Sequence, residues 1–487
     1  MLEKINHKSA PKEVVSALVT LYHQGKFDDV LSRSPQLIKE YPETFVLHNI
    51  IGAISFEKGH KEVAIKHFRK VIELRPHHPH AYNNLGAALI DIGEYEEAKS
   101  NLKKAIELQP DYAEAYNNLG NVYKEMEEYN QAISVYEKAI ELNPEYYEAY
   151  NNLGAAFGKN EQYEEAEKVL KQVIELQPEC EEALNNLGYM LTSMEKYDEA
   201  KDLLMQAIRI NPKNADIYFN LGTIYSRKNL RKVAIKYFLK ALNFDPKNAD
   251  IYYNLSINFS EIGSLTKAAE NFKACLKIDP NHQSASHLYN SLLGYKTKTA
   301  PNEYIIKLFD YYAQDFEKSL INDLEYKIPN EIKNLLLENS VESLGSILDM
   351  GCGTGLIGLE LEKRYNYLEG IDLSNNMIAQ AKQKKVYDKL IKTEIIDYLT
   401  NNTLKFDYFI AADVFIYIGD LYEVFRLIKK RNQKFGYLVF SIELTTNDDY
   451  ILEKSGRYSH STNYISSLCD EFSFTITNFK KLPIRKE

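Results

Sequence analysis

Tyr82-Asn83-Asn84-Leu85-Gly86 returns as Tyr116-Asn117-Asn118-Leu119-Gly120 and again as Tyr150-Asn151-Asn152-Leu153-Gly154, each copy 34 positions after the last. Outward from this phrase, prolines keep the same spacing at Pro42, Pro76, Pro110, Pro144, Pro178, Pro212, Pro246 and Pro280. Leu187, Leu221 and Leu255 continue the leucine column, and glycine follows each leucine until Ser256. The second half of each unit carries Ala64, Ala98, Ala132, Ala166, Ala200, Ala234 or Ala268, with a large apolar residue four places on, such as Leu102, Tyr136 or Phe238. That spacing is one face of a helix. Each unit therefore predicts two helices that small residues allow to approach, aromatic and leucine side chains that fill the gap, and a proline that ends the second helix. No such unit buries its faces without neighbours.

A 34-residue period is the tetratricopeptide length. The chain resembles that family over about residues 11–283, roughly eight repeats, and its Tyr-Asn-Asn-Leu-Gly and Lys-Ala-Ile-Glu-Leu runs look like the superhelical arrays of O-GlcNAc transferases. The first unit, around Leu18, Tyr22 and Val30, departs from the pattern, as expected of a terminal repeat with one face in solvent. Most tyrosines fall at helix-packing positions and are expected in the core.

One asparagine precedes each leucine: Asn84, Asn118, Asn152, Asn186, Asn220 and Asn254. A side-chain amide both donates and accepts, so a column of them can pair with the backbone of an extended peptide whatever its sequence. The resemblance implies such a ladder on a concave face, with Asn118, Asn152 and Asn186 as candidate contacts to a protein or peptide. The competing reading is that these amides join neighbouring helices or face water.

Composition narrows the rest. At 487 residues the chain exceeds what one core usually serves, and 45% hydrophobic with 26% charged residues is ordinary for globular proteins. A net charge of -10, with no basic run interleaved with aromatics, opposes nucleic acid and anionic membranes as partners. Cys180, Cys275, Cys352 and Cys469 show neither metal-ligand nor redox spacing, so no metal is expected and a reducing compartment fits. Met1 to Asp29 lacks the apolar segment of a secretory signal, and no stretch reaches the 18 apolar residues of a membrane span. A cytoplasmic location is the expectation.

A helix over about Gln283 to Gly294 is expected to cap the array, and Lys296-Thr297-Lys298-Thr299-Ala300-Pro301-Asn302 breaks the helical pattern. Residues 284–302 thus read as cap and linker, and 303–487 as a second domain. There, short apolar runs at Ser346 to Met350, Tyr367 to Ile371, Phe406 to Ala411 and Gly436 to Ile442 alternate with helical segments. That alternation predicts a mainly parallel, Rossmann-like α/β sheet. Ile347-Leu348-Asp349-Met350-Gly351-Cys352-Gly353-Thr354-Gly355-Leu356 reads as a strand, a glycine-rich turn and a helix start. Such a turn lies at the carboxyl ends of the strands, where nucleotide-like ligands bind. Asp372, 23 residues after Asp349, can accept both ribose hydroxyls of an adenosine.

Gly353, Gly355 and Gly358 also satisfy the dinucleotide pattern of a dehydrogenase. Asp349 decides against it, because a carboxylate there meets the ammonium of a bound amino acid but repels a pyrophosphate. Asp-Met-Gly-Cys-Gly-Thr-Gly resembles the first motif of class I methyltransferases, and Asp372 the acidic residue of their second. The resemblance implies S-adenosylmethionine as cofactor, held by Asp349, Gly351, Gly353, Gly355 and Asp372, with Met377 packing under the adenine. Asp397 follows as an acceptor for the adenine amino group or, on the bland reading, as a helix N-cap. Phe406 to Phe415 resembles the fourth-strand motif, placing Asp413 and Tyr417 beside the reaction centre. It lacks the Asn/Asp-Pro-Pro-Tyr/Phe pattern, which disfavours amino-group methylation of nucleic-acid bases or glutamine.

Leu308 to Phe316 with Tyr326 resembles an N-terminal helical lid, from which Tyr312 and Phe316 would close over the cofactor. The arrangement looks most like a group of predicted repeat-containing methyltransferases, including Ser455-Gly456-Arg457-Tyr458-Ser459-His460-Ser461. In a loop after the fifth strand, Arg457 would hold a carboxylate or phosphate and His460 would take a proton from the acceptor. The same segment read plainly is a polar loop capping the next helix. A sixth strand is expected around Phe472 to Lys480, and the family's further strand is not supplied before Glu487. The expectation is a methyltransferase whose repeats dock a protein. The alternatives are a small-molecule methyltransferase with scaffolding repeats and a scaffold that binds the cofactor without catalysis.

Overall fold

Small residues set how the helices of the first half meet. The computed structural model describes residues 9–160, 162–312, 326–337 and 343–482. In it consecutive helices form hairpins, from Lys12–His23 with Phe27–Glu40 through to Ala249–Glu261 with Leu265–Ile278. A Cβ on Gly120 would stand 2.4 Å from Tyr136, and one on Gly86 or Gly222 would stand 2.6 Å from Leu102 or Phe238. Each glycine sits in the first helix and each large residue in the second, fully buried. The alanine column from Ala64 to Ala234 is buried beside them. The tyrosine and proline columns work together: the hydroxyls of Tyr82, Tyr218 and Tyr252 donate to the carbonyls of Pro76, Pro212 and Pro246 at 3.0, 3.0 and 3.4 Å. Each aromatic therefore seals the turn that the preceding proline opens.

The chain falls into two compact units, Met1–Phe244 and Asp245–Glu487. The linker expected over residues 284–302 lies inside the second unit. Within the second unit the linker is stitched to the α/β domain: Ala300 N–H donates to Tyr417 O at 2.9 Å, and Gly419 and Asp420 N–H donate to Lys298 O at 2.9 and 2.8 Å. Thr297 and Tyr458 share a hydroxyl hydrogen bond of 2.5 Å, and Lys296 pairs with Asp449. From the helix Gln283–Leu293, buried His287 bonds Gly456 O at 2.8 Å. A segment with its backbone bonds satisfied on a domain moves with that domain. The hairpin Ala249–Glu261/Leu265–Ile278 and the following helix also fall within the second unit.

Five parallel strands form the main sheet of that unit: β1 Leu344–Met350, β2 Tyr365–Asp372, β3 Lys389–Lys392, β4 Phe406–Ala411 and β5 Asn432–Phe440, in the order β3-β2-β1-β4-β5. The strands bury Leu348, Met350, Ile371, Phe409 and Ala411 in one apolar cluster. Chain direction across the sheet reverses between β1 and β4, the switch point that leaves a crevice at their carboxyl ends. A smaller sheet, β6 Glu443–Leu444, β7 Tyr450–Leu452 and β8 Tyr458–His460, has the order β6-β8-β7. It corrects the expected loop, since three of the residues read as loop form its central strand.

The expected sixth strand does not form: residues 474–482 are irregular. Phe474 packs edge-on against Phe425 at 5.9 Å, while Ile476 and Phe479 remain half-exposed. The alternation of Phe472-Ser473-Phe474-Thr475-Ile476 looks like a strand, but a strand also needs a hydrogen-bonding neighbour, and this segment has none among the described residues.

Candidate functional site

The loop after β1 turns through three left-handed glycines, Gly351 at φ 71°, Gly353 at φ 53° and Gly355 at φ 90°. At Gly351 a Cβ would also meet Val414 at 2.4 Å, so the loop can lie against the end of β4 only as glycine. Gly351 and Cys352 N–H both donate to Ile371 O, at 2.8 and 3.0 Å. Asp372 completes the clamp: one carboxylate oxygen accepts Gly353 N–H at 2.9 Å and the other Ser374 N–H at 2.8 Å. Burial raises the Asp372 carboxyl, and the Ser374 and Gly353 donors oppose the rise. Each oxygen retains a lone pair, so the residue that shapes the loop can still accept ligand hydroxyls.

Asp349, the penultimate residue of β1, lies between Gly370 of β2 and Ile410 of β4 and is fully buried. Oδ2 accepts the Tyr387 hydroxyl at 2.6 Å, whereas Oδ1 has no partner among the described residues. Burial pushes this carboxyl up to about 7, with Asp372 adding repulsion and Tyr387 opposing the rise. Nearby Thr354 Oγ1 is likewise buried and unpartnered. Two orphaned polar atoms at this strand end and its loop cost free energy unless a ligand answers them. The Cys352 thiol is driven well above its usual range by burial, which makes it an inert neighbour.

Met377 is fully buried in the helix Asn375–Lys384, whose N-cap Ser374 accepts Met377 N–H at 3.0 Å. Ser374 in turn donates to Asp310 at 2.5 Å, tying the helix Asn302–Tyr312 to this corner. The side chain of Tyr312 and all of Phe316 lie outside the described residues. Asp397 is exposed in the first turn of the helix Ile395–Asn401 and is not its N-cap; Glu394 is, accepting Asp397 N–H at 2.8 Å.

At the end of β4, Asp413 adopts φ 54°, left-handed for a residue that carries a Cβ. Ser441, just past β5, holds it there: its hydroxyl donates to Asp413 Oδ1 at 2.9 Å and accepts Asp413 N–H at 2.8 Å. Tyr417 follows in the short turn Phe415–Tyr417, edge-on to Phe309 at 5.4 Å. Asp349 and Gly351 lie at the end of β1, Asp372 ends β2, and Asp413 follows β4.

The two acceptor-side candidates lie differently. Arg457 pairs with Glu443 at 3.1 Å, so its guanidinium is already engaged. His460 is fully buried in β8, with Nε2 at 2.9 Å from Ile418 O and 3.0 Å from Gly419 O and burial holding its pKa down. Carbonyls only accept, so Nε2 carries the proton, and the ring backs the Tyr417–Gly419 segment from behind. That corrects its expected place: a proton acceptor must reach the acceptor atom. Asn118, Asn152 and Asn186 each donate Nδ2 across one repeat, to Asn83, Asn117 and Asn151 Oδ1 at 2.9, 3.0 and 2.9 Å. The plain reading of the column, inter-repeat bonding, is therefore realised. Sequence reasoning missed Tyr387, Thr354 and Ser441. The only hint was Gly370, a glycine inside a strand with no turn to make.

Comparison with known proteins agrees with both halves. Residues 77–292 match the family model described as the C-terminal domain of cilia and flagella-associated protein 70, residues 47–78 that of the tetratricopeptide repeat, and residues 342–478 that of a methyltransferase domain. A malonyl-[acyl-carrier protein] O-methyltransferase of Priestia megaterium (strain DSM 319 / IMG 1521) is 24% identical over 205 residues, covering 37% of this chain and 73% of that protein. A protein of Geobacillus sp. (strain WCH70), provisionally named a methyltransferase, is 25% identical over 156 residues, covering 30% of this chain and 61% of that one. Among solved structures, the APC/C hetero-tetramer Cut9–Hcn1 is similar with 20% identity and a TM-score of 0.46, over 55% of this chain and 52% of that one. Among the described residues no helix is long and apolar enough to cross a membrane.

Proposed function

We propose that this fusion of tetratricopeptide repeats with a methyltransferase domain binds S-adenosylmethionine at the loop after β1 and methylates an acceptor that the repeats bring to it. The observation that carries the reading is Asp349, a fully buried carboxylate with one oxygen unpartnered at the switch point of the sheet. An uncompensated buried anion is costly, and the ammonium of an amino acid removes that cost where a pyrophosphate would add to it. On this reading Asp372 accepts ribose hydroxyls with its remaining lone pairs, Met377 packs from below, and Asp397 stands at the adenine end. The cofactor supplies an activated methyl group on a sulfonium. The protein's part is to exclude water and to set the acceptor in line with that methyl, the step from which most of the acceleration comes. Asp413 and Tyr417 border the acceptor side, and Arg457 reaches an anionic acceptor only by exchanging its bond to Glu443.

For the repeats, Asn118, Asn152 and Asn186 each give one Nδ2 hydrogen to a neighbour, so Oδ1 and the second N–H are what the row can offer. Together they suit the N–H and C=O groups of an extended peptide. Four free cysteines suit a reducing compartment such as the cytoplasm. A second reading, a small or carrier-bound carboxylate as acceptor, is favoured by the Priestia relative, whose name gives a malonyl group on a carrier protein.

Incubation with methyl-tritiated cofactor and a cell lysate tests both. Label in the macromolecular fraction, lost when Asn118, Asn152 and Asn186 are all replaced by alanine, is the expected result. Label confined to small molecules, or macromolecular label that survives the triple replacement, supports the second reading, and no label together with no heat of binding for S-adenosylhomocysteine overturns both.

A further inference from the structure

The Tyr387 ring lies in a slot that glycines make. A Cβ on Gly355 would stand 3.0 Å from its Cε2, one on Gly358 2.8 Å from the same atom, and one on Gly370 2.8 Å from Cε1. Gly358, which completes the dinucleotide-like spacing, and Gly370, the glycine inside β2, thereby gain a common purpose. At the end of the slot the hydroxyl makes two bonds whose directions are determined. Gly358 N–H can only donate, at 3.3 Å, so the phenol proton is left for Asp349 Oδ2 at 2.6 Å. No other residue type offers that combination of planar stem, terminal acceptor and terminal donor at this reach.

We propose that Tyr387 is a positioning residue for cofactor binding: by holding Asp349 Oδ2, it fixes the carboxylate and leaves Oδ1 as the acceptor presented to the ammonium. This rests on the cofactor reading above. Among the described residues, the titratable groups that act on Asp349 are Tyr387 from the segment before β3, Cys352 from the glycine loop and Asp372 from the end of β2. Burial keeps the Cys352 thiol and the Tyr387 phenol neutral near pH 7, and Asp372 repels. Tyr387 is thus the one of these groups that favours the charged form of Asp349. The phenol itself does not touch the cofactor, since its hydroxyl is spent on Gly358 and Asp349.

Calorimetric titration of the full chain with S-adenosylhomocysteine, which carries the same ammonium, from about pH 5.5 to about pH 8.5 tests this. Wild-type affinity is expected to weaken as pH falls through the Asp349 titration, giving an acid limb. Tyr387→Phe keeps the ring and removes the donor, so the limb moves up by about one pH unit, the worth of one hydrogen bond to a carboxylate. Affinity at pH 7 then falls about fivefold and recovers on the alkaline side. Replacement of Tyr387 by 3-fluorotyrosine, a stronger donor of the same shape, moves the limb down and serves if the phenylalanine variant does not fold. In an Asp349→Asn background the limb vanishes and Tyr387→Phe adds nothing. A uniform loss at every pH, or an unmoved limb, overturns the positioning role while leaving the cofactor reading intact. No heat from the wild type at any pH overturns that reading and this inference together.

Discussion

Asn152 donates Nδ2 to Oδ1 of Asn117 across one repeat at 3.0 Å, and Asn117, fully buried, passes its own Nδ2 to Glu148 at 3.3 Å. Both partners lie in the next repeat's helix Tyr147–Lys159, so each link is double, and Asn151 with Asn186 and Glu182 repeats the pattern. Asn117→Ala removes both bonds and strands two partners, whereas Asn152→Ala strands one. Unfolding in urea should show a loss of about 2 kcal/mol for the first and about 1 kcal/mol for the second. Equal, negligible losses would mean that the column does not tie the repeats and serves recognition alone.

The contrast between this column and the glycine loop shows what a sequence discloses. Period, helix faces and the Gly120–Tyr136 kind of packing were legible because they follow from spacing alone. Asp349, Asp372 and the glycines were legible because a strand-turn-helix places its turn at one end of a sheet. The partner of an asparagine 35 positions away was not legible, since pairing depends on the rotation of one hairpin against the next. Tyr387 was hidden for the same reason: it lies 38 positions from Asp349 in a segment without pattern. His460 misled because a histidine among hydroxyls reads as a loop base until β8 buries it. Phe472 to Lys480 misled because alternation says nothing about whether a neighbouring strand exists.

Acid should weaken the early repeats through a histidine pair. His48 Nδ1 and His67 Nδ1 lie 2.9 Å apart, and His48 Nε2 lies 3.1 Å from Pro42 O. The carbonyl takes the Nε2 proton, so His48 Nδ1 accepts and His67 Nδ1 donates while both rings are neutral. Burial lowers both below their usual 6.5, His67 to about 4. The unfolded chain thus takes up protons first, and stability present above about pH 6.5 is lost as pH falls towards 4. His67→Gln keeps an N–H donor without titrating. Its urea midpoint should match the wild type at pH 7.5 and exceed it at pH 5; parallel curves would show that the pair does not report acid.

Asp413 holds a left-handed backbone through Ser441, an arrangement that costs stability at a border of the candidate reaction centre. Asp413→Gly relieves the conformation, and the second unit should melt slightly higher or unchanged, the gain being at most about 1 kcal/mol after the lost hydrogen bond. Turnover in the labelled-methyl assay should fall nonetheless, because Ser441 then loses the carboxylate it orients. A variant both less stable and equally active would show that the strain serves packing.

His460 offers the sharpest separation of support from chemistry. Its Nε2 proton is shared by Ile418 and Gly419 carbonyls, and those residues also receive the linker through the Thr299–Ile418 bridge and the Gly419–Lys298 bond. Loss of the ring therefore frees two carbonyls behind Tyr417, at a cost of about 2 kcal/mol. His460→Gln, which can return one donor, should recover part of the melting temperature that His460→Ala loses. The two readings part in the pH–rate profile for methyl transfer. A support leaves its inflections where they were and lowers the rate at every pH alike, whereas a proton acceptor imposes an acid-side inflection that glutamine abolishes. The buried, carbonyl-bound ring predicts the first outcome, and disappearance of an inflection in His460→Gln would return the residue to the chemistry.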